Sequence, residues 1–304
     1  MRLKVVFMGT PIFSVPILDK LNQEFEVVGV VTQPDRPSGR GQRVIESAVK
    51  GFASSNDIKA FQPDDINSPE SVTQIRNWNP DIISVAAFGQ ILKPELLTAP
   101  KYGCLNVHAS LLPRWRGAAP INAAILHGDQ ITGVTIMKMA EGLDDGPILN
   151  QRSIPIKPDD TAGTLSDQLS ALGAALLVDT IPPYIKDEIL PKDQDHTQAT
   201  YANMLKKKDG LLDFNNPADY LARKVRAYFP WPGSYTNWND RRLLIHQASS
   251  ANVTSPGPGV FTIYEGYPAI GSAEGLLVLE LLQLTGKRKL SGDEFLKGAS
   301  DWIR

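Results

Sequence analysis

Apolar positions along this chain fall into short blocks whose period switches between that of strands and that of helices. Residues 3–8 (Leu-Lys-Val-Val-Phe-Met) read as a buried strand, and Gly9-Thr10-Pro11 turns the chain into a helical stretch ending near Asn22. Further strands are predicted over residues 26–31, 58–61, 81–87, 103–108 and 133–139, with helical patterns between several of them. Strand alternating with helix is the pattern of a parallel, doubly wound sheet whose ligands bind at the carboxyl ends of the strands. Residues 161–184 predict a long helix closing this part, capped by Asp160 or Thr161. The polar stretch 186–208, with Pro191 and a run of three lysines, reads as a connector.

The texture changes after Asp209. One helix is predicted over residues 217–228, followed by short strands over 234–238, 243–248, 259–263, 268–271 and 276–284 with Gly and Pro punctuation. Five such strands predict a small OB-like β-barrel. The expected fold is therefore α/β: a Rossmann-like parallel sheet domain over 1–189, a linker over 190–208, and an OB-like domain over 209–304.

Composition narrows the function classes. A length of 304 residues, 42% hydrophobic and 21% charged, is ordinary for a globular chain and long enough for two domains. No apolar run approaches the roughly 20 residues that cross a bilayer, and the first residues enter a strand without a charged leader, so a soluble, unprocessed chain is expected. The lone Cys104 excludes an internal disulfide framework and points to a reducing compartment, the cytoplasm. With a net charge of −2 there is no global basicity to announce a nucleic-acid partner. The turn Gly9-Thr10-Pro11-Ile12-Phe13 lacks G-x-G-x-x-G and no P-loop occurs, so a dinucleotide is not the expected ligand.

Candidate chemistry gathers around residues 106–120. In a strand over 103–108, Asn106 and His108 share one face while Leu105 and Val107 share the other. The Leu-Leu-Pro that follows ends the strand, and Arg114-Trp115-Arg116-Gly117 forms a basic, aromatic loop ahead of a helix beginning near Pro120. A third partner is expected from Glu141-Gly142-Leu143-Asp144-Asp145-Gly146, where Asp144 would hold the imidazole if adjacent strands bring this loop to the sheet mouth. Asn106 would offer an amide donor to a developing oxyanion, and His108 would move protons between two nitrogens. The trio suits acyl transfer to an amine, which needs no nucleophilic side chain because the amine attacks directly. No metal is expected: one His with neither H-x-x-x-H nor C-x-x-C makes a poor zinc site.

These residues carry a resemblance. Thr32-Gln33-Pro34-Asp35-Arg36-Pro37 with Gly39-Arg40-Gly41, the whole run 106–120, Gly133-Val134-Thr135-Ile136-Met137, Gly142-Leu143-Asp144 and Pro230-Trp231-Pro232 resemble the methionyl-tRNA formyltransferase family of folate-dependent formyltransferases over nearly the full length. The resemblance implies transfer of a formyl group from 10-formyltetrahydrofolate to methionine on initiator tRNA, with Asn106, His108 and Asp144 as catalytic trio. It implies a folate-contacting turn at Ser110, Leu111, Leu112 and Pro113 and a pterin-side loop at Phe88, Gly89, Gln90, Ile91 and Leu92. For tRNA it points to the loop bearing Arg36, Arg40 and Arg43; Lys206, Lys207 and Lys208, with Arg223, Lys224 and Arg226, are further candidates for backbone contacts by their charge. A monomer is implied. Two departures stand out: Asp145 occupies a place where the family often has a small hydroxyl residue, and Glu46-Ser47-Ala48 replaces a proline-flanked serine. A formyltransferase for a nucleotide-linked aminosugar or for a purine-synthesis amine would share the trio but need neither the arginine loop nor the second domain. A tRNA-binding module without catalysis would leave the trio unexplained. Trp231, Tyr235 and Trp238 are expected in the barrel core.

Overall fold

The computed structural model describes residues 2–38 and 43–303, which divide into two compact units. Unit 1 comprises Met1–Gly117, Thr132–Ile154 and Ser166–Tyr201; unit 2 comprises Ala118–Ile131, Pro155–Leu165 and Ala202–Arg304. The chain therefore passes between them more than once.

In unit 1 the strands are β1 (Lys4–Gly9), β2 (Glu26–Val31), β3 (Arg36–Ser38), β4 (Arg43–Ile45), β5 (Ala60–Phe61), β6 (Ile82–Ala86), β7 (Cys104–His108), β8 (Arg116–Gly117), β9 (Ile131–Lys138), β10 (Ile148–Pro155) and β11 (Tyr201–Ala202). Seven of them form one sheet in the order β10-β9-β7-β6-β1-β2-β5. From β7 to β5 every pairing is parallel, and β1, β6 and β7 are buried almost end to end, as strands covered on both faces must be. The sheet is not parallel throughout: β9 runs antiparallel to β7, with His108 opposite Thr135. Such a reversal is tolerated at the side of a parallel sheet, because no crossover helix need return there.

Helices start where local chemistry allows. Ser47 caps the helix Ala48–Ser55 by accepting from the Lys50 amide at 3.0 Å, and Ser68 caps Pro69–Asn77 by accepting from Ser71. The long helix Ala162–Ile185 is largely apolar. At Gly173 an added Cβ would lie 2.7 Å from Val107, so a glycine lets this helix lie directly on the strand that carries Asn106 and His108. The opposite face packs Val6, Met8, Val85, Phe88, Leu92 and Cys104 into one core.

Unit 2 contains β12 (Ser234–Trp238), β13 (Arg241–Ala251), β14 (Phe261–Tyr264), β15 (Tyr267–Gly271), β16 (Leu276–Leu284) and β17 (Leu290–Ser291). They make an antiparallel sheet in the order β12-β13-β16-β15-β14, with β17 on β16 and the helix Ala218–Ala227 packed against the sheet. Trp302 anchors the core, with Phe261, Phe295 and Trp238 rings 4.7, 5.6 and 5.7 Å away and its indole N–H on the Thr262 carbonyl. Tyr235 and Trp238 are packed as expected, but Trp231 is half exposed. The polar stretch 186–208 holds a buried residue, Gln194, as well as two short 3-10 turns and β11.

Candidate active site

Three parallel strands end together. Met8 of β1 pairs with Val85 of β6, and Val85 pairs with Asn106 of β7, so the segments after β1, β6 and β7 all leave from the carboxyl edge of the sheet. Thr10 and Gln33 tie this edge together by donating to the Phe88 carbonyl at 3.0 and 3.2 Å.

Asn106 and His108 lie on that edge, 8% and 5% exposed, so their polar groups need partners within the protein. Asp144 is the shared one. Its Oδ1 accepts from Asn106 Nδ2 at 3.4 Å, and its Oδ2 lies 3.6 Å from His108 Nδ1. The Gly117 amide donates to the same Oδ2 at 2.8 Å. His108 Nε2 meets the Trp115 carbonyl at 2.9 Å; a carbonyl only accepts, so Nε2 carries hydrogen. Both Trp115 (φ 61°) and Asp144 (φ 48°) occupy the left-handed region, which costs a side-chain-bearing residue about 1–2 kcal/mol. Among the side-chain-bearing residues with positive φ, these two aim a carbonyl and a carboxylate at one imidazole.

The turn after β7 is held by hydroxyl groups. Ser110 donates to the Arg114 carbonyl at 2.6 Å, and the Leu112–Pro113 peptide is cis. Thr135 of β9 donates to the Ser110 carbonyl at 2.7 Å and accepts from the Leu112 amide at 3.1 Å and from Gln151 at 2.9 Å. Leu111 and Pro113 are half-buried, while Ser110 and Leu112 are buried. In the loop after β6, Phe88 and Leu92 join the core, Gln90 accepts from the Ile66 amide at 2.9 Å, Gly89 takes φ 91°, and Ile91 is 76% exposed. Ile91 is the apolar side chain of this loop that faces solvent.

Arg36 is exposed on β3, the backbone of Arg43 lies on β4, and Arg40 falls outside the described residues. Lys206, Lys207 and Lys208 are exposed around a 3-10 turn of unit 2.

Several polar residues hold the site through contacts that sequence spacing does not reveal. Arg116, 2% exposed, donates from Nε and Nη2 to Gln194 Oε1 at 3.1 and 2.8 Å and reaches His196 Nδ1 at 3.3 Å. Thr135 and Gln151 hold the turn after β7. No periodicity marks Gln194, which sits in a polar stretch; Thr135 lies in the run 133–137 that carried the resemblance, but its contacts depend on the pairing of β9 with β7. Asp145 Oδ1 is buried without a hydrogen-bond partner beside Asp144, which gives the departure noted there a physical consequence. Burial pushes the thiol of Cys104, on β7 with Asn106 and His108, up to about 12, so it is no nucleophile at neutral pH.

Residues 1–181 match the formyl transferase family and residues 204–300 its C-terminal domain. A methionyl-tRNA formyltransferase of Geobacter sulfurreducens is 43% identical over 297 residues, covering 97% of this chain and 94% of the relative. One of Bacillus subtilis is 43% identical over 300 residues, covering 97% and 95%. Among solved structures, the sugar 3N-formyl transferase WlaRD, crystallised in the presence of dTDP and 5-N-formyl-THF, superposes with a TM-score of 0.67 at 22% identity over 95% of this chain and 100% of its own. That likeness is one of fold.

Proposed function

The chain belongs to the methionyl-tRNA formyltransferase family, and from there we propose that Asn106, His108 and Asp144 carry its reaction at the carboxyl edge of the unit 1 sheet. The family moves the formyl group of 10-formyltetrahydrofolate to the α-amino group of methionine esterified to initiator tRNA, for translation initiation. The observation that carries the assignment is the meeting of Asn106, His108 and the Gly117 amide on one Asp144 carboxylate.

The amine nitrogen bonds to the formyl carbon, the folate nitrogen leaves, and one proton passes from the first nitrogen to the second. Asn106 Nδ2 donates to the formyl oxygen as charge builds on it, an interaction worth roughly 3–4 kcal/mol when preorganised. His108 moves the proton. With Nε2 committed to the Trp115 carbonyl, Nδ1 is the nitrogen left for this task, and Asp144 Oδ2 at 3.6 Å balances the charge while the proton is held.

Folate fits the donor set nearby. A flat pterin needs apolar walls and main-chain partners, and the loop Phe88, Gly89, Gln90, Ile91, Leu92 with the turn Ser110, Leu111, Leu112, Pro113 supplies both. Arg36, Arg40 and Arg43 contact the acceptor arm, Lys206, Lys207 and Lys208 the tRNA backbone, and the part from 209 onward is the tRNA-binding domain. The enzyme works as a monomer in the cytoplasm, a reducing compartment that its single cysteine fits. Among the described residues no helix is long and apolar enough to cross a membrane.

The test is incubation with 10-formyltetrahydrofolate and methionyl initiator tRNA, followed by recovery of formyl-methionine. Formyl-methionine is expected. No product on tRNA, with formylation of a nucleotide-linked aminosugar instead, would overturn the assignment.

A further inference from the structure

The Asp144 carboxylate is held by neighbours, but the backbone that presents it is held as well. Between β9 and β10 the chain makes a tight loop, and at Gly146 an added Cβ would lie 2.0 Å from the Lys138 carbonyl, so the loop is pressed onto the end of β9. Gln194 spans this loop from the other side. Its Nε2 donates to the Asp144 carbonyl at 2.9 Å and to the Gly146 carbonyl at 2.7 Å. Its Oε1 accepts twice from Arg116.

The orientation of that amide follows from chemistry. A guanidinium can only donate, so the oxygen of Gln194 must face Arg116 and the NH2 must face the two loop carbonyls. Arg116 is in turn a buried cation whose side-chain partners, Gln194 and His196, bring no negative charge. A buried charge with neutral partners is costly, and pairing with good geometry is what makes it tolerable. The residue after Arg116 is Gly117, whose amide donates to Asp144 Oδ2. One short segment therefore grips Asp144 at both ends, at the carboxylate directly and at the carbonyl through Gln194.

We propose that Gln194, oriented by Arg116, is a positioning residue for Asp144: it fixes the left-handed backbone that turns the carboxylate toward His108 and Asn106. This rests on the role proposed above for Asp144. Without the two donors, the loop relaxes to a conformation in which the carboxylate no longer meets the imidazole.

The test compares Gln194→Ala, Gln194→Glu, Asp144→Asn and the double variant Gln194→Ala/Asp144→Asn of the full chain, measuring kcat, KM for both substrates, and Tm. Gln194→Ala should lower kcat about tenfold with both KM values within about twofold, since geometry at the reacting centre changes while substrate contacts do not. Gln194→Glu keeps an acceptor for Arg116 but sets a carboxylate oxygen against two carbonyls, so it loses kcat likewise although the tie to Arg116 is retained. In the Asp144→Asn background, adding Gln194→Ala should change kcat by less than about twofold, because both changes act on one group. Parental kcat in both Gln194 variants, or an equal tenfold factor in both backgrounds, would overturn the positioning role. Near-parental kcat in Asp144→Asn would overturn the trio itself, and the positioning role with it.

Discussion

Two polar regions of this protein differ in how their charges are arranged. Unit 2 holds a cleft of about 690 Å3 lined by Lys157, Asp159, Asp219, Arg223, Arg226, His246 and Glu280 among others. Several of them are answered locally. Arg223 bonds Asp219 one turn earlier on its helix at 2.7 Å and holds that carboxyl below the usual carboxylate range. Arg226 donates to the Asp160 carbonyl at 2.9 Å, and His246 pairs with Gln283 across two strands at 3.1 Å. At the sheet edge of unit 1, by contrast, an amide, an imidazole and a backbone N–H converge on one carboxylate presented by left-handed backbone. Convergence, not the number of charges, separates the candidate active site from a solvated polar cleft.

The sharpest way to break this contrast is His108→Ala, which should lower kcat at least about a hundredfold while tRNA affinity stays within about twofold. Single-turnover formylation and filter binding measure the two; a near-normal rate would remove His108 from the chemistry and leave convergence without meaning.

The next effect is on support of the site. Thr135→Val keeps the shape of the side chain but leaves the Leu112 amide, the Ser110 carbonyl and the Gln151 amide short of a partner, so stability should fall by about 1–3 kcal/mol. Urea unfolding measures the loss, and KM for folate should rise with it if the turn contacts folate. An unchanged midpoint would show the hydroxyl network to be replaceable.

Arg226→Met tests the other region. It removes a half-buried guanidinium whose ionised form burial disfavours, and kcat at saturating substrates should stay within about twofold. A tenfold fall would give the cleft a part in the reaction.

The smallest effect concerns His246, which burial holds below its ordinary value of 6.5. In the window below 6.5 the unfolded chain binds more protons there than the folded one, so the contribution of the neutral ring is complete above that value and is lost as pH falls beneath it. His246→Gln should therefore lose less Tm than the parent between about pH 7.5 and pH 5.5. Equal losses in both proteins would show that another group governs the acid limb.

Much of the site was legible in the sequence because its parts are local. Asn106 and His108 share a face by strand alternation alone, and the run 106–120 with Gly142-Leu143-Asp144 carried a specific resemblance. The strand spans 26–31, 234–238 and 276–284 coincide with β2, β12 and β16 because turn residues punctuate both ends. Other features had no local signal. β10, Ile148–Pro155, carries exposed polar residues that hide its strand period, and Trp231, expected in a core, is half exposed.

The sequence by itself determined the main strands of both parts, that the first part builds a sheet, and which residue types the chemistry needs, since hydrophobic period, caps and turns are properties of neighbours along the chain. Only the tertiary structure decided that β9 runs antiparallel to β7 and brings Asp144 to His108. It also decided that Arg116 and Gln194, separated by 78 positions, meet to hold the loop. A long-range hydrogen bond leaves no period in the sequence, because each partner is locally only one more polar residue; its geometry exists once the core has placed both backbones.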